Sequence, residues 1–149
     1  MLIEKLKPVG EAINSQGLSY SERLQNENGL NERIALTLRD NEDKEFVADI
    51  NVLYDDELGH FQYIAGKNNV VYPKEFIDEI VKVVASINNV IKYGHFRMSL
   101  TELGIHLTYR CDSPGNYICA DEFMENINYC LFMTKYYSKE LEQFEQKIF

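Results

Sequence analysis

Tryptophan is absent from this chain, and cysteine and proline number only three each. Without tryptophan, the core falls to Ile, Leu, Val and Phe, with tyrosine expected at its margins. Cys111, Cys119 and Cys130 show no CxxC spacing, and an odd count argues against a disulfide framework and for a reducing cytosol. No GxGxxG, Walker sequence or Ser-centred elbow occurs, so the usual marks of nucleotide binding and serine hydrolysis are missing. No run of about 18 apolar residues is present to span a bilayer. No cationic-then-apolar leader opens the chain, which with the cysteines predicts a cytoplasmic location. No Lys or Arg run offsets the net charge of −9, so nucleic acid and anionic membrane are disfavoured as partners.

What is present is an ordinary globular balance, 45% hydrophobic and 26% charged, which is enough for a core without metal or disulfide. The length predicts a single domain over residues 1–149. Leu2, Leu6, Val9 and Ile13 share a helical face, with Pro8 inside the run and Gly17 as a stop. Three segments then alternate apolar and polar: Leu18 to Leu24, Ile34 to Leu38, and Phe46 to Tyr54. Pairing Leu38 with Phe46 puts Leu36 opposite Ala48 and Ile34 opposite Ile50, so every inward residue meets another. A three- or five-residue loop at Asn28-Gly29 sets Leu24 against Ile34. His60 to Ala65 is a fourth strand, broken by Gly66 to Asn69.

Pro73 suits the first position of a helix whose stripe is Phe76, Ile80, Val83, Val84, Ile87 and Ile91, ended by Gly94. His95 to Leu100 and Ile105 to Cys111 form a hairpin pairing Leu100 with Ile105, Met98 with Leu107 and Phe96 with Tyr109. Asp112 to Asn116 is a turn. A last helix runs from about Asp121, as N-cap, to Lys147. The tripeptide Gly-His-Phe occurs at both 59–61 and 94–96 and marks two strand starts.

Chemistry is hard to place on this frame. The hairpin register holds His95 and His106 roughly 13 Å apart, too far to ligate one metal ion. Cys111 and Cys130 fall on inward positions, where a thiol acts as a small hydrophobe. Cys119 precedes a helix but has no placeable base. The carboxylates at Asp40 to Glu45 and Asp55 to Glu57 lack the glycine and terminal glutamate of a calcium hand and read as solvated hairpin tips. The last helix carries Phe123, Ile127, Cys130, Thr134, Tyr137, Leu141 and Phe144 inward. A second stripe, Tyr129, Phe132, Met133 and Tyr136, lies roughly 140° around the helix. Either another element of the chain covers that stripe or it is a partner surface.

Tyr72-Pro73, the helix ending near Ile87-Asn88, Gly94-His95-Phe96, the following hairpin and a final helix with Tyr136-Tyr137 resemble the YbjN-like proteins, also called bacterial sensory transduction regulators. Their fold is similar to that of type III secretion chaperones. The resemblance covers the second half of the chain, and the segment Cys111 to Cys119 departs from the compact family pattern. It implies a bacterial protein with no settled enzymatic activity, cofactor, metal or catalytic residue. It also implies dimers that bind unfolded or extended protein segments, and an Asn88 that bonds to a strand end or a turn. The expectation is therefore an α+β domain in which helices cover one face of an antiparallel sheet. Its function is expected to be non-enzymatic: a cytoplasmic, homodimeric module that binds a protein client through Tyr129, Phe132, Met133 and Tyr136. The alternative is an acidic inhibitor or immunity-type protein that meets a basic partner through its carboxylate-rich tips.

Overall fold

The computed structural model describes residues 6–15, 21–25, 31–40, 45–55, 57–114 and 119–147. The chain runs α1 (Lys7–Ser15), β1 (Ser21–Gln25), β2 (Asn31–Arg39), β3 (Val47–Asp55), β4 (His60–Lys67) and β5 (Val70–Val71). A 3-10 turn at Lys74–Phe76 leads into α2 (Ile77–Val90), β6 (His95–Thr101), β7 (Gly104–Pro114) and α3 (Ala120–Ser138). A second 3-10 segment (Lys139–Phe144) and β8 (Gln146–Lys147) follow. The class is α+β, as the alternation and helical stripes predict.

Six strands form one antiparallel sheet in the order β1-β2-β3-β4-β7-β6, and β5 pairs with β8 in a two-stranded sheet. Period-two alternation sorts the large sheet into a dry face and a wet one. Ile34, Leu36, Ala48, Ile50, Val52, Phe61, Tyr63, Ala65, Ile105 and Tyr109 are buried on the dry side. Their outward neighbours on β2, β3, β4 and β7 stay partly or fully exposed from Arg33 to Arg39, through β3 and β4, and from His106 to Asp112. The long helix α3 lies over β3, β4 and β7, α1 packs beside α3, and α2 packs on β6. Leu6 just before α1, and Val9 and Ile13 within it, are buried, and Pro8 sits in the first turn, where a missing N–H costs no helical bond. Leu2 and Gly17 lie outside the described residues.

The β6–β7 register is the expected one: Phe96 faces Tyr109, Met98 faces Leu107 and Leu100 faces Ile105. Leu100 is nevertheless exposed, because the hairpin tip projects beyond the core. Two other registers differ by two residues. Leu38 faces Ala48 and Ile34 faces Val52, while Leu24 faces Glu32. An even shift keeps every side chain on its face, so burial alternation cannot choose between these registers. At the β2–β3 turn, Asp40 N donates to Phe46 O at 3.0 Å, and Lys135 of α3 bonds the Asp40 carboxylate, so a tertiary contact fixes the base of this loop. The Asn28-Gly29 turn lies outside the described residues.

Several boundaries also move. The fourth strand runs on through Gly66 to Lys67, which pair with Asp49 and Ala48 of β3, and β7 continues to Pro114 in place of a turn at Asp112, because β4 from His60 to Gln62 supplies its ladder partners. Pro73 is the N-cap of the 3-10 turn, and α2 begins only at Ile77. Cys119, not Asp121, occupies the N-cap of α3, and no side-chain cap bond forms there. The helix ends at Ser138, well short of Lys147. Beyond it, Gln146 and Lys147 pair with Val71 and Val70, and Glu145 accepts two bonds from Lys67. Tyrosine is not marginal: Tyr63 and Tyr109 are among the largest fully buried side chains. Burial of Tyr109 is tolerable because its hydroxyl donates to Tyr93 O at 2.6 Å.

Both Gly-His-Phe copies do start strands, β4 and β6, and both glycines are left-handed, Gly59 at φ +67 and Gly94 at φ +75. They differ in space. A Cβ on Gly59 meets nothing within 4 Å, whereas one on Gly94 would lie 2.4 Å from both Arg110 O and Tyr109 Oη. Gly59→Ala should therefore cost only the conformational term, about 1 kcal/mol. Gly94→Ala should cost roughly 3 kcal/mol or more, because backbone and a buried ring must also move. Urea denaturation of the two variants checks this order.

Candidate functional site

The two-stripe character of α3 has a geometric cause. At about 100° per residue its buried positions sweep a wide arc, because α3 meets both the sheet and α1. Phe123, Asn126, Ile127, Cys130, Met133, Thr134 and Ser138 fill that arc. Met133 lies at its border and is only 3% exposed, so it belongs to the core and offers no contact surface. Tyr129 is half-buried, edge-on to Tyr93 at 5.1 Å and 6.2 Å from Tyr109. Phe132 and Tyr136 point away, 59% and 55% exposed. The expected four-residue stripe thus reduces to a surface pair, Phe132 and Tyr136, with Tyr129 at its margin.

That pair is stacked, with centroids 5.6 Å apart and planes within 16°. It is also anchored. Tyr136 meets Tyr137 edge-on at 4.9 Å, Tyr137 meets Phe96 at 5.7 Å, and Phe96 meets Tyr109 at 5.2 Å. A relay of rings therefore runs from solvent to the buried face of β6 and β7, and the exposed rings pack against its outer end.

Polar contacts lock the helices that carry this relay. The Tyr93 hydroxyl lies 2.7 Å from Asp112 O and 3.0 Å from Asn126 Oδ1, sharing its proton between a strand carbonyl and α3. Nothing in the spacing of the sequence marks Tyr93 for this role, since it sits in the loop after α2. Asn88 bonds to a strand, as the resemblance implies: its Nδ2 donates to Phe96 O at 2.9 Å and its Oδ1 accepts from Phe96 N at 2.7 Å.

The other candidates disperse. His106 Nε2 lies 2.8 Å from Thr101 Oγ1, and His60 Nε2 lies 3.9 Å from Asp112. Among the described residues, no group of three His, Cys, Asp or Glu side chains could hold a metal ion. Cys111 and Cys130 are buried with sulfurs 3.8 Å apart. The neighbouring Cys111 thiol, and then burial, push the Cys130 thiol well above its ordinary value, which suits packing and not nucleophilic attack. Cys119 is exposed at the head of α3. Of the hairpin-tip carboxylates, Asp40 bonds Lys135, and Asp55 accepts from Glu57 N and Leu58 N at 2.9 and 3.1 Å. Asp56 and the tip from 41 to 44 lie outside the described residues. Among the described residues, no helix is long and apolar enough to cross a membrane.

Sequence reasoning placed His95 and His106 on one hairpin but did not join the outward cations of separate strands. Arg33, Arg39, Arg97 and Arg110 all occupy outward register positions, as do His60, His95 and His106. The signal was in the same alternation that located the core. No protein-family model matches the chain, and no curated protein or solved structure matches it either.

Two variant sets check this anatomy. Asn88→Ala should cost about 2 kcal/mol, because it leaves a backbone donor and acceptor unpaired. Asn88→Asp should not recover that loss, since a carboxylate cannot donate to Phe96 O. Met133→Asp should destabilise by roughly 3–5 kcal/mol, whereas Phe132→Asp should stay within about 0.5 kcal/mol of the parent. Chemical denaturation reads both.

Proposed function

We propose that this chain is a non-enzymatic protein-binding module, chaperone-like or regulatory, that acts through the exposed apolar surface of α3. The carrying observation is the stacked Phe132–Tyr136 pair, open to water and braced from beneath by Tyr137 and Phe96. Folded monomers seldom present large fixed aromatics without a use for them, and aromatic residues are enriched where proteins meet. The first use is self-association: two copies bring α3 to α3 about a two-fold axis, so that each pair packs on its equivalent. The second is capture of extended, apolar protein segments. The resemblance to the YbjN-like proteins supports both, together with a bacterial, cytoplasmic setting and no catalytic group or cofactor.

The competing reading is an acidic inhibitor or immunity-type protein. The net charge of −9 favours it. Its expected contacts, however, are partly engaged within the chain, Asp40 with Lys135 and Asp55 with its own turn. Ionic strength separates the two, since binding through carboxylates weakens steeply with salt and binding through stacked rings does not.

The test is the double variant Phe132→Asp with Tyr136→Asp. Sedimentation should show loss of the dimer, and binding of a permanently unfolded protein should fall by about tenfold or more, with the melting temperature nearly unchanged. Unaltered mass together with unaltered binding would overturn the proposal.

A further inference from the structure

The exposed side of α3 carries charge as well as rings. At about 100° per residue, Asp121, Glu125, Phe132 and Lys139 fall within about 20° of one line along the helix. Lys139 keeps helical backbone angles, φ −61 and ψ −33, so the line reaches it unbroken. All four side chains are exposed. Tyr136 lies about 40° to one side of the line and the half-buried Tyr129 about 60° to the same side. The stripe is thus acidic at its start, aromatic in its middle and basic at its end. Among the described residues, neither Glu125 nor Lys139 forms an ion pair. Lys135, on the other side of the line, is taken by Asp40.

Such a stripe is complementary to itself when reversed. Phe132 stands midway between Glu125 and Lys139. A two-fold axis at Phe132 sets the two Phe132 rings together and brings Tyr136 of each copy beside Tyr129 of the other. The same axis brings Lys139 of each copy to Asp121 and Glu125 of the other. Antiparallel helix dipoles favour this arrangement as well. A parallel pairing would instead set Glu125 against Glu125 and Lys139 against Lys139. Glu122 and Glu140 lie about 80° off the line, on the flanks where two packed helices part.

We infer that the partner on this face is a second copy of the chain, docked antiparallel along α3 about Phe132, with Asp121 and Glu125 of each copy holding Lys139 of the other. This dimer rests on the reading of α3 as a contact surface, to which it adds partner, orientation and register. The charges choose the occupant: an extended apolar client needs neither the acidic end nor the basic end, whereas a reversed copy answers both.

Sedimentation equilibrium of the full chain at low ionic strength reads the dimer. Glu125→Lys and Lys139→Glu should each weaken it by about tenfold, because the symmetry places every new like-charge contact twice. Joined in one chain, the two substitutions should recover most of that loss. Both positions are exposed, so the melting temperature should hardly move in any of the three variants. Single variants as tight as the parent, or a double variant no tighter than the singles, would overturn this register while leaving α3 a contact surface. A parent that stays monomeric at every concentration would overturn the second copy as partner in favour of a client. Phe132→Asp with Tyr136→Asp separates the two levels: if it changes neither mass nor binding, the contact surface itself is lost and this dimer with it.

Discussion

The antiparallel pairing of β4 with β7 is the contact on which the rest of this structure depends. It runs from Ala65–Tyr109 to His60–Pro114 and joins the first four strands to a hairpin that arrives only after α2. Without that ladder the chain would hold two small sheets, each with one apolar face and too little to cover it. With it, Phe61, Tyr63, Tyr109 and Cys111 become a single floor, wide enough to seat a helix of 19 residues. The placement of α3, and hence of the rings it displays, follows from that floor. The hydrophobic term is large here because both layers contribute fully buried aromatics, as where Tyr63 meets Phe123 at 6.3 Å.

The fold was legible wherever a local rule decided it. Alternation placed Ile34, Leu36, Ile50 and Val52 on the dry side. The β6–β7 hairpin could be read outright because its two-residue connection leaves no room to slip. Registers across longer loops were not readable, since an even displacement of β2 against β3 changes no side chain's face and only tertiary contacts such as Asp40–Lys135 break the tie. Strand lengths were underestimated at Lys67 and Pro114, because a strand persists as long as a neighbour answers its backbone: β3 answers Gly66 and Lys67, and β4, whose pairing with β7 was not visible in sequence, answers Asp112 to Pro114. The end of α3 misled for a similar reason: a helical pattern continues past Ser138, but the Lys67–Glu145 contact and the β5–β8 pairing redirect the chain.

The candidate surface was half legible. Period 3.6 located Phe132 and Tyr136 on the outer side of α3 but could not say how wide the buried arc would be. Met133 fell inside it because α3 is packed by α1 as well as by the sheet. The arginine layer went unread for a different reason. Attention to the apolar half of each alternating pair hides the polar half.

β6 forms one margin of the sheet, and such margins invite foreign strands to add themselves by main-chain pairing. Here the Asn88 amide already occupies the outward N–H and C=O of Phe96, imitating one rung of a neighbouring strand. The side chain that clamps α2 to the sheet thereby closes this margin at Phe96 to edge-on growth, a safeguard against fibrous polymerisation written into a single carboxamide.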